Sequence, residues 1–223
     1  MDEQCRFDLS RPVAELHPNE QVKQDSRYLR GTLQESFADP VTGAIRELDT
    51  QLTKFFGIYQ QDHRDLREER RRAKLEPDYQ FMVRVRMPGG VCTTAQWLAL
   101  DALARENANG TLRLTTRQTF QFHGVRKQHL RRHVQGIKAS GLDTIAACGD
   151  DNRNVICTAN LLLSTAHAEV SATARQLGEN LLPRTGAYRE IFLEQPAAAL
   201  ADANEEPLYR SEEHTSELQS QNR

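Results

Sequence analysis

The stretch from Gln80 to Gln96 constrains the fold of this chain more than any other. In QFMVRVRM (Gln80–Met87) side-chain character alternates with period two. Phe81, Val83, Val85 and Met87 make one face, and Met82, Arg84 and Arg86 make the other. A strand of this kind is half-buried and needs paired neighbours and a second layer on its apolar side. Pro88-Gly89-Gly90 then turns the chain. Thr93 followed three residues later by Gln96 fits a capping box, so a helix is expected to start there. It should run to about Asn107 with Trp97, Leu100, Leu103 and Ala104 inward, and stop at Asn109-Gly110.

The pattern continues downstream. Thr111–Thr115 and Gln118–Val125 read as two short strands, and Leu130, Val134 and Ile137 mark a second helix ending near Gly141. Ile145–Ala147 reads as a last short strand. The order β-α-β-β-α-β over residues 80–146 predicts an α+β, ferredoxin-like half domain. The flanks are less regular. Residues 1–79 are rich in charge, with helical stretches around Glu20–Arg30 and Ala44–Phe56. The run Asp62–Lys74 mixes six basic and four acidic residues, with i,i+4 pairs such as Arg64 with Glu68 and Glu68 with Arg72. It reads either as a solvated helix, ended by Pro77, or as a partner-docking surface. Residues 147–207 begin with a polar loop, a strand at Asn154–Thr158 and a helix from about Ala166 to Leu182 with Val170, Leu177 and Leu181 inward. In 208–223 the last 14 residues hold one apolar residue, Leu218, and are expected to be disordered.

Composition narrows the function classes. The chain has 223 residues, with 38% hydrophobic and 27% charged, which suits a globular protein. No apolar run approaches the ~20 residues of a membrane span, and the N-terminal stretch lacks the basic start and apolar core of a secretory signal. A net charge of −2 argues against a general nucleic-acid binder. Cys5, Cys92, Cys148 and Cys157 form no C-x-x-C pair. They read as free thiols of a reducing cytoplasm, with a stray disulfide or a metal site as the lesser alternatives. Dinucleotide, P-loop, zincin and hydrolase motifs are absent.

Arginines on strands stand out. Arg84 and Arg86 share one strand face, Arg113 lies mid-strand, Arg117 sits in the TTRQ turn, and Arg153 lies in the DNRN loop. A guanidinium stays charged and presents a planar fork of donors, so several converging on one cavity suit a polyanion. The competing reading is that each faces water or pairs with an acid. Thr115, Gln118, Gln121 and His123 belong to the same hairpin. His123, with Gln121, Thr119 and Arg117 expected on its face, is either a hydrogen-bonded surface histidine or a cofactor contact and proton donor.

The strings RVRMPGGVCTTAQW (Arg84–Trp97), LRLTTRQTFQFHG (Leu112–Gly124) and DNRNVICTAN (Asp151–Asn160) resemble the assimilatory sulfite reductase hemoproteins, the β subunits of the NADPH-dependent enzyme. The likeness extends to YLRGT (Tyr28–Thr32), GIYQQDHRD (Gly57–Asp65) and LLPRTGAY (Leu181–Tyr188), and so covers about residues 20–207. Sirohaem nitrite reductases share the general scheme. The resemblance implies six-electron reduction of sulfite to sulfide for cysteine synthesis, in the cytoplasm, on a sirohaem coupled to a [4Fe–4S] cluster. A flavoprotein subunit carrying FAD and FMN would supply electrons from NADPH and dock on residues 1–79. It further implies that Arg84 and Arg153 grip sulfite as the catalytic pair. Arg113, Thr115, Arg117, Gln121, His123 and Asn154 would contact the sirohaem, whose eight carboxylates call for arginine. Residues 147–207 would begin a second, sirohaem- and cluster-bearing α+β domain.

Departures from the family pattern are equally specific. The family's cluster cysteines stand in C-x5-C and C-x3-C pairs, which this chain lacks, so no metal ligand is assigned. Two anion-binding lysines of the family follow an E-E-P motif, whereas Glu205-Glu206-Pro207 is followed here by Leu208, Tyr209 and Arg210 and a tail that reads as foreign sequence. The expectation is an N-terminal fragment, inactive alone, lacking the C-terminal half that would complete it and leaving apolar surface bare. A standalone ferredoxin-like module for an anion or RNA is the alternative, although RQTFQFHG does not match an RNA-binding sheet motif.

Overall fold

The computed structural model describes residues 12–27, 29–145, 154–160 and 162–181. Among these, four antiparallel strands form one sheet in the order β1-β2-β4-β3. They are β1 (Ile58–Asp62), β2 (Tyr79–Arg84), β3 (Leu112–Leu114) and β4 (Phe120–Val125). Helices α1 (Pro18–Asp25), α2 (Leu33–Ala38), α3 (Glu47–Lys54) and α4 (Arg67–Arg72) precede β2, α5 (Thr94–Asn107) links β2 to β3, and α6 (Leu130–Ala139) follows β4. The last described helix is α7 (Thr165–Asn180). The α+β half-domain layout expected from the sequence is therefore present, with a strand from the charged N-terminal region added at one edge.

The alternation in β2 does what it predicts. Phe81, Val83, Val85 and Met87 are buried on one face together with Phe120, Phe122 and Val125 of β4, and the core extends to Leu100 and Ala104 of α5 and Leu130, Val134 and Ile137 of α6. Complete burial of a side chain of this size contributes about 1.5–3 kcal/mol, so these residues dominate the stability of the sheet. The capping box forms as read: the Gln96 N–H donates to Thr93 Oγ1 at 3.2 Å, and the Thr93 N–H donates to Gln96 Oε1 at 3.0 Å. Trp97 differs from expectation. It stays 45% exposed at the helix start, its ring edge-on to Phe120 at 5.5 Å.

Other differences have clear causes. β1 escaped notice because IYQQD buries only Ile58 and is otherwise polar. The expected pairs Arg64–Glu68 and Glu68–Arg72 are replaced by Glu68–Arg71 at 2.9 Å and Asp62–Arg67 at 2.6 Å. The chain there starts as a 3-10 turn, and α4 ends at Arg72, two residues before Lys74 at φ +55 and well before Pro77 is reached. Of the strand expected at Ile145–Ala147 only Ile145 is described, in a turn, and a single bridge between Arg86 and Asp143 lies two residues before it. Residues 154–158 carry no ladder. They are held by isolated bonds, one of them from the Gly89 N–H to the Val155 carbonyl at 3.1 Å.

Helix α7 forms where expected but turns its other side inward. Ser171, Ala174 and Gly178 are buried, whereas Val170, Leu177 and Leu181 are 51, 46 and 54% exposed. Its neighbour is the Pro88–Gly90 turn, which approaches so closely that a Cβ on Gly178 would lie 2.9 Å from Pro88 Cβ. Only a small-residue stripe fits there.

Candidate functional site

Register across the sheet assembles the arginines. Arg84 of β2 is the partner of Gln121 of β4, and Gln121 is the partner of Arg113 of β3. Paired residues share a face, so Arg84, Gln121 and Arg113 form a row across three strands on the side opposite the core. With neighbouring strands ~4.8 Å apart, the two arginines are anchored roughly 10 Å from each other. That spacing matches a broad, multiply charged ligand better than a single small ion.

His123 stands on the same face, two residues beyond Gln121. The register slips next to it, since Phe81 pairs with Val125 but Val83 pairs with Phe122. Gly124 absorbs the slip at φ +78, in a place where a Cβ would come within 2.8 Å of Asn109 Cβ. His123 Nε2 is buried and has no hydrogen-bond partner among the described residues. Burial, then the charges of Arg113 and Arg84, hold the imidazole pKa below its ordinary value of 6.5. The face thus gathers positive charge around a neutral ring that takes a proton more readily once an anion arrives.

The remaining site residues divide into two groups. Thr115 and Arg117 belong to the turn between β3 and β4, where the Arg117 N–H donates to Thr115 Oγ1 at 3.2 Å and the Thr115 N–H donates to the Thr119 carbonyl at 2.9 Å. Arg113 and Arg117 are exposed and form no ion pair among the described residues. Thr119, expected beside His123, precedes β4. It is buried, and its hydroxyl donates to the Val85 carbonyl. Asn154 serves as a clip: its Oδ1 accepts from the Met87 N–H at 2.9 Å, and its Nδ2 donates to the Arg117 carbonyl at 2.7 Å. Gln118, at φ +53, adds a second clip by donating to the Cys157 carbonyl at 2.6 Å. Arg153 lies outside the described residues.

Arg86 and Arg84, two residues apart, meet different fates. Arg86 is clamped by Asp143, with Nη2–Oδ2 at 2.5 Å and Nε–Oδ1 at 2.9 Å, and also donates to the Gly178 carbonyl at 3.3 Å. It anchors α7 and leaves the site. Arg84 lies over the ring of Tyr59, with Cζ 5.1 Å from the centroid. Sequence reasoning missed Tyr59 because it missed β1; the only signal was a β-branched and an aromatic residue directly after Gly57.

The donors on this face fit a carboxylate-rich ligand. Metal ligands are a different matter. Cys92 and Cys157 are free thiols, and no group of three or more His, Cys, Asp and Glu side chains among the described residues is placed to hold a metal ion. No helix among the described residues is long and apolar enough to cross a membrane.

Strands β2, β3 and β4 with helices α5 and α6 lie within residues 72–140, which match the nitrite/sulfite reductase ferredoxin-like half domain. The structure of the Mycobacterium tuberculosis NirA protein is similar with a TM-score of 0.51 and 26% identity, over 66% of this chain and 27% of that one. The fold is thus that of the half domain used by this reductase class. At the level of sequence, the chain is 60% identical over 199 residues to the sulfite reductase [NADPH] hemoprotein beta-component of Chromohalobacter salexigens, covering 87% of this chain and 35% of that protein. It is 55% identical over 207 residues to the protein of the same name from Afipia carboxidovorans, covering 91% of this chain and 36% of the relative. The chain belongs to the sulfite reductase hemoprotein β-component family and spans about a third of the length of the relatives it matches.

Proposed function

We propose that the Arg84–Gln121–Arg113 face is one wall of the sirohaem and sulfite site of an NADPH-dependent sulfite reductase. The reaction is the six-electron reduction of sulfite to sulfide, serving sulfate assimilation and cysteine biosynthesis in the cytoplasm. A flavoprotein subunit that draws electrons from NADPH through FAD and FMN docks on residues 1–79. The observation that carries this reading is the row itself: two arginines and an amide on one face, beside a buried imidazole nitrogen with no hydrogen-bond partner among the described residues, in a chain closely similar to named sulfite reductase hemoproteins.

Each residue has a role its chemistry supports. Arg113 and Arg117, exposed and outside any ion pair among the described residues, bind carboxylates at the rim of the tetrapyrrole. Thr115 shapes the turn that carries Arg117, Gln121 offers its amide between Arg84 and Arg113, and Asn154 fixes the loop against the Arg117 turn. Arg84, with Arg153, neutralises the sulfite dianion and favours the charge that develops as S–O bonds break. His123 Nε2 holds or passes a proton next to that charge. Sirohaem, when bound, supplies the redox-active iron at which the sulfur is reduced. No group of three or more His, Cys, Asp and Glu side chains among the described residues is placed to hold a [4Fe–4S] cluster.

Titration of the purified chain with sirohaem, followed by visible absorbance, tests the assignment. The Arg84→Ala/Arg113→Ala double variant should bind at least about tenfold more weakly than the wild type, since each charge-assisted bond contributes about 1.5–3 kcal/mol. Unchanged binding by the double variant contradicts it.

A further inference from the structure

A proline decides what helix α2 leaves behind at its end. In a continuing helix the Ser36 carbonyl would accept from the N–H four residues on, but that residue is Pro40, which has none. Lys127 supplies the missing donor. It stands just after β4, in the 3-10 turn Lys127–His129 that leads into α6. Its Nζ donates to the Ser36 carbonyl at 3.0 Å, the Asp39 carbonyl at 2.7 Å and the Ala44 carbonyl at 3.1 Å. An ammonium has three N–H donors, so its whole capacity is spent on the end of α2 and the loop that follows. The same loop is tied twice more, by the Gly43 N–H to Glu76 Oε2 at 3.2 Å and by the Ile45 N–H to Gln60 Oε1 at 2.6 Å. Ser36 itself is braced from inside, where its Oγ donates to Oδ2 of the buried Asp49 at 2.6 Å.

We propose that Lys127 is a latch that fastens the loop between α2 and α3, residues 39–46, to the end of β4. It joins the N-terminal segment to the half domain directly after the strand that bears Gln121 and His123. Apolar packing already brings the segment onto the sheet: Leu29 and Leu33 belong to the core, and the Phe37 ring lies 6.4 Å from that of Phe81. Such contacts are not directional and do not fix how the loop sits. Three charge-assisted bonds from one ammonium do, because they need carbonyls at three set corners. Burial pulls the Lys127 pKa below its ordinary 10.5, and the three carbonyl dipoles stand in for the water the ammonium has lost.

The test uses the whole chain and begins with the wild type. Under limiting acetic anhydride, Lys127 should be acetylated at least about tenfold more slowly than the exposed Lys74, because its amine must first leave three carbonyls. That result needs no variant, so a Lys127→Met chain that fails to fold does not spoil the test. In folded Lys127→Met, similar in length but without donors, hydrogen exchange read by mass spectrometry should speed up at least about tenfold in the peptide spanning residues 39–46. Exchange in residues 130–139 of α6 should stay within about twofold of the wild type. Acetylation of Lys127 as fast as that of Lys74 overturns the proposal, and so does a loop whose exchange is unmoved in Lys127→Met. Equal acceleration in the loop and in α6 overturns it too, since Lys127 would then support the whole domain and not the loop.

Discussion

Helices α6 and α7 both space large apolar residues along one side, yet they use them in opposite ways. In α6, Leu130, Val134 and Ile137 are buried against the sheet. In α7, Val170, Leu177 and Leu181 face out, while Ser171, Ala174 and Gly178 meet the Pro88–Gly90 turn. Periodicity tells that a helix has two unlike sides. The surface it meets decides which side is covered. A broad sheet takes branched side chains, but a narrow proline-glycine turn admits only a small-residue stripe.

Substitution should separate the two helices most sharply. Ile137→Ala removes a fully buried side chain and is expected to cost about 2–5 kcal/mol in urea denaturation. Leu177→Ala removes one already in water and should stay within about 0.5 kcal/mol. Equal costs would mean that the outer side of α7 is covered after all.

A smaller effect concerns the inward side of α6. His133 is buried, its ring edge-on to Phe122 at 4.3 Å, and burial followed by the charge of His129 pushes its pKa down to about 4. In the unfolded chain the value is about 6.5, so the unfolded state binds more protons between the two. Stability should therefore be fullest above pH ~6.5 and fall as pH drops toward 4, by up to about 3 kcal/mol from this group. His133→Phe keeps an aromatic edge against Phe122 and should flatten that part of the profile. An unchanged acid slope in the variant would place the effect on other groups.

The legible parts of the molecule are those where one face of an element is covered by a broad partner. The alternation of β2 and the spacing of α6 led to the observed elements because each buries one face against the core, and the capping box of α5 did so because it is a local signal that needs no partner. β1 was hidden by its polar residues, since an edge strand with a single buried side chain leaves no alternation to see. The α7 face was misread because side-chain size pointed one way and the shape of the turn the other. Within the site, Arg84, Gln121 and Arg113 were legible as outward strand positions, but their alignment depends on pairing register, and Tyr59 depends on a strand the sequence did not reveal.

The most direct check on the arginine face is the NMR titration of the His123 ring with and without sulfate, a probe whose charge stays constant over the range. If burial and the charges of Arg113 and Arg84 act on the ring, His123 titrates below 6.5 in the free chain and moves upward when sulfate binds beside either arginine. A midpoint at or above 6.5 in the free chain, unmoved by sulfate, would contradict the account.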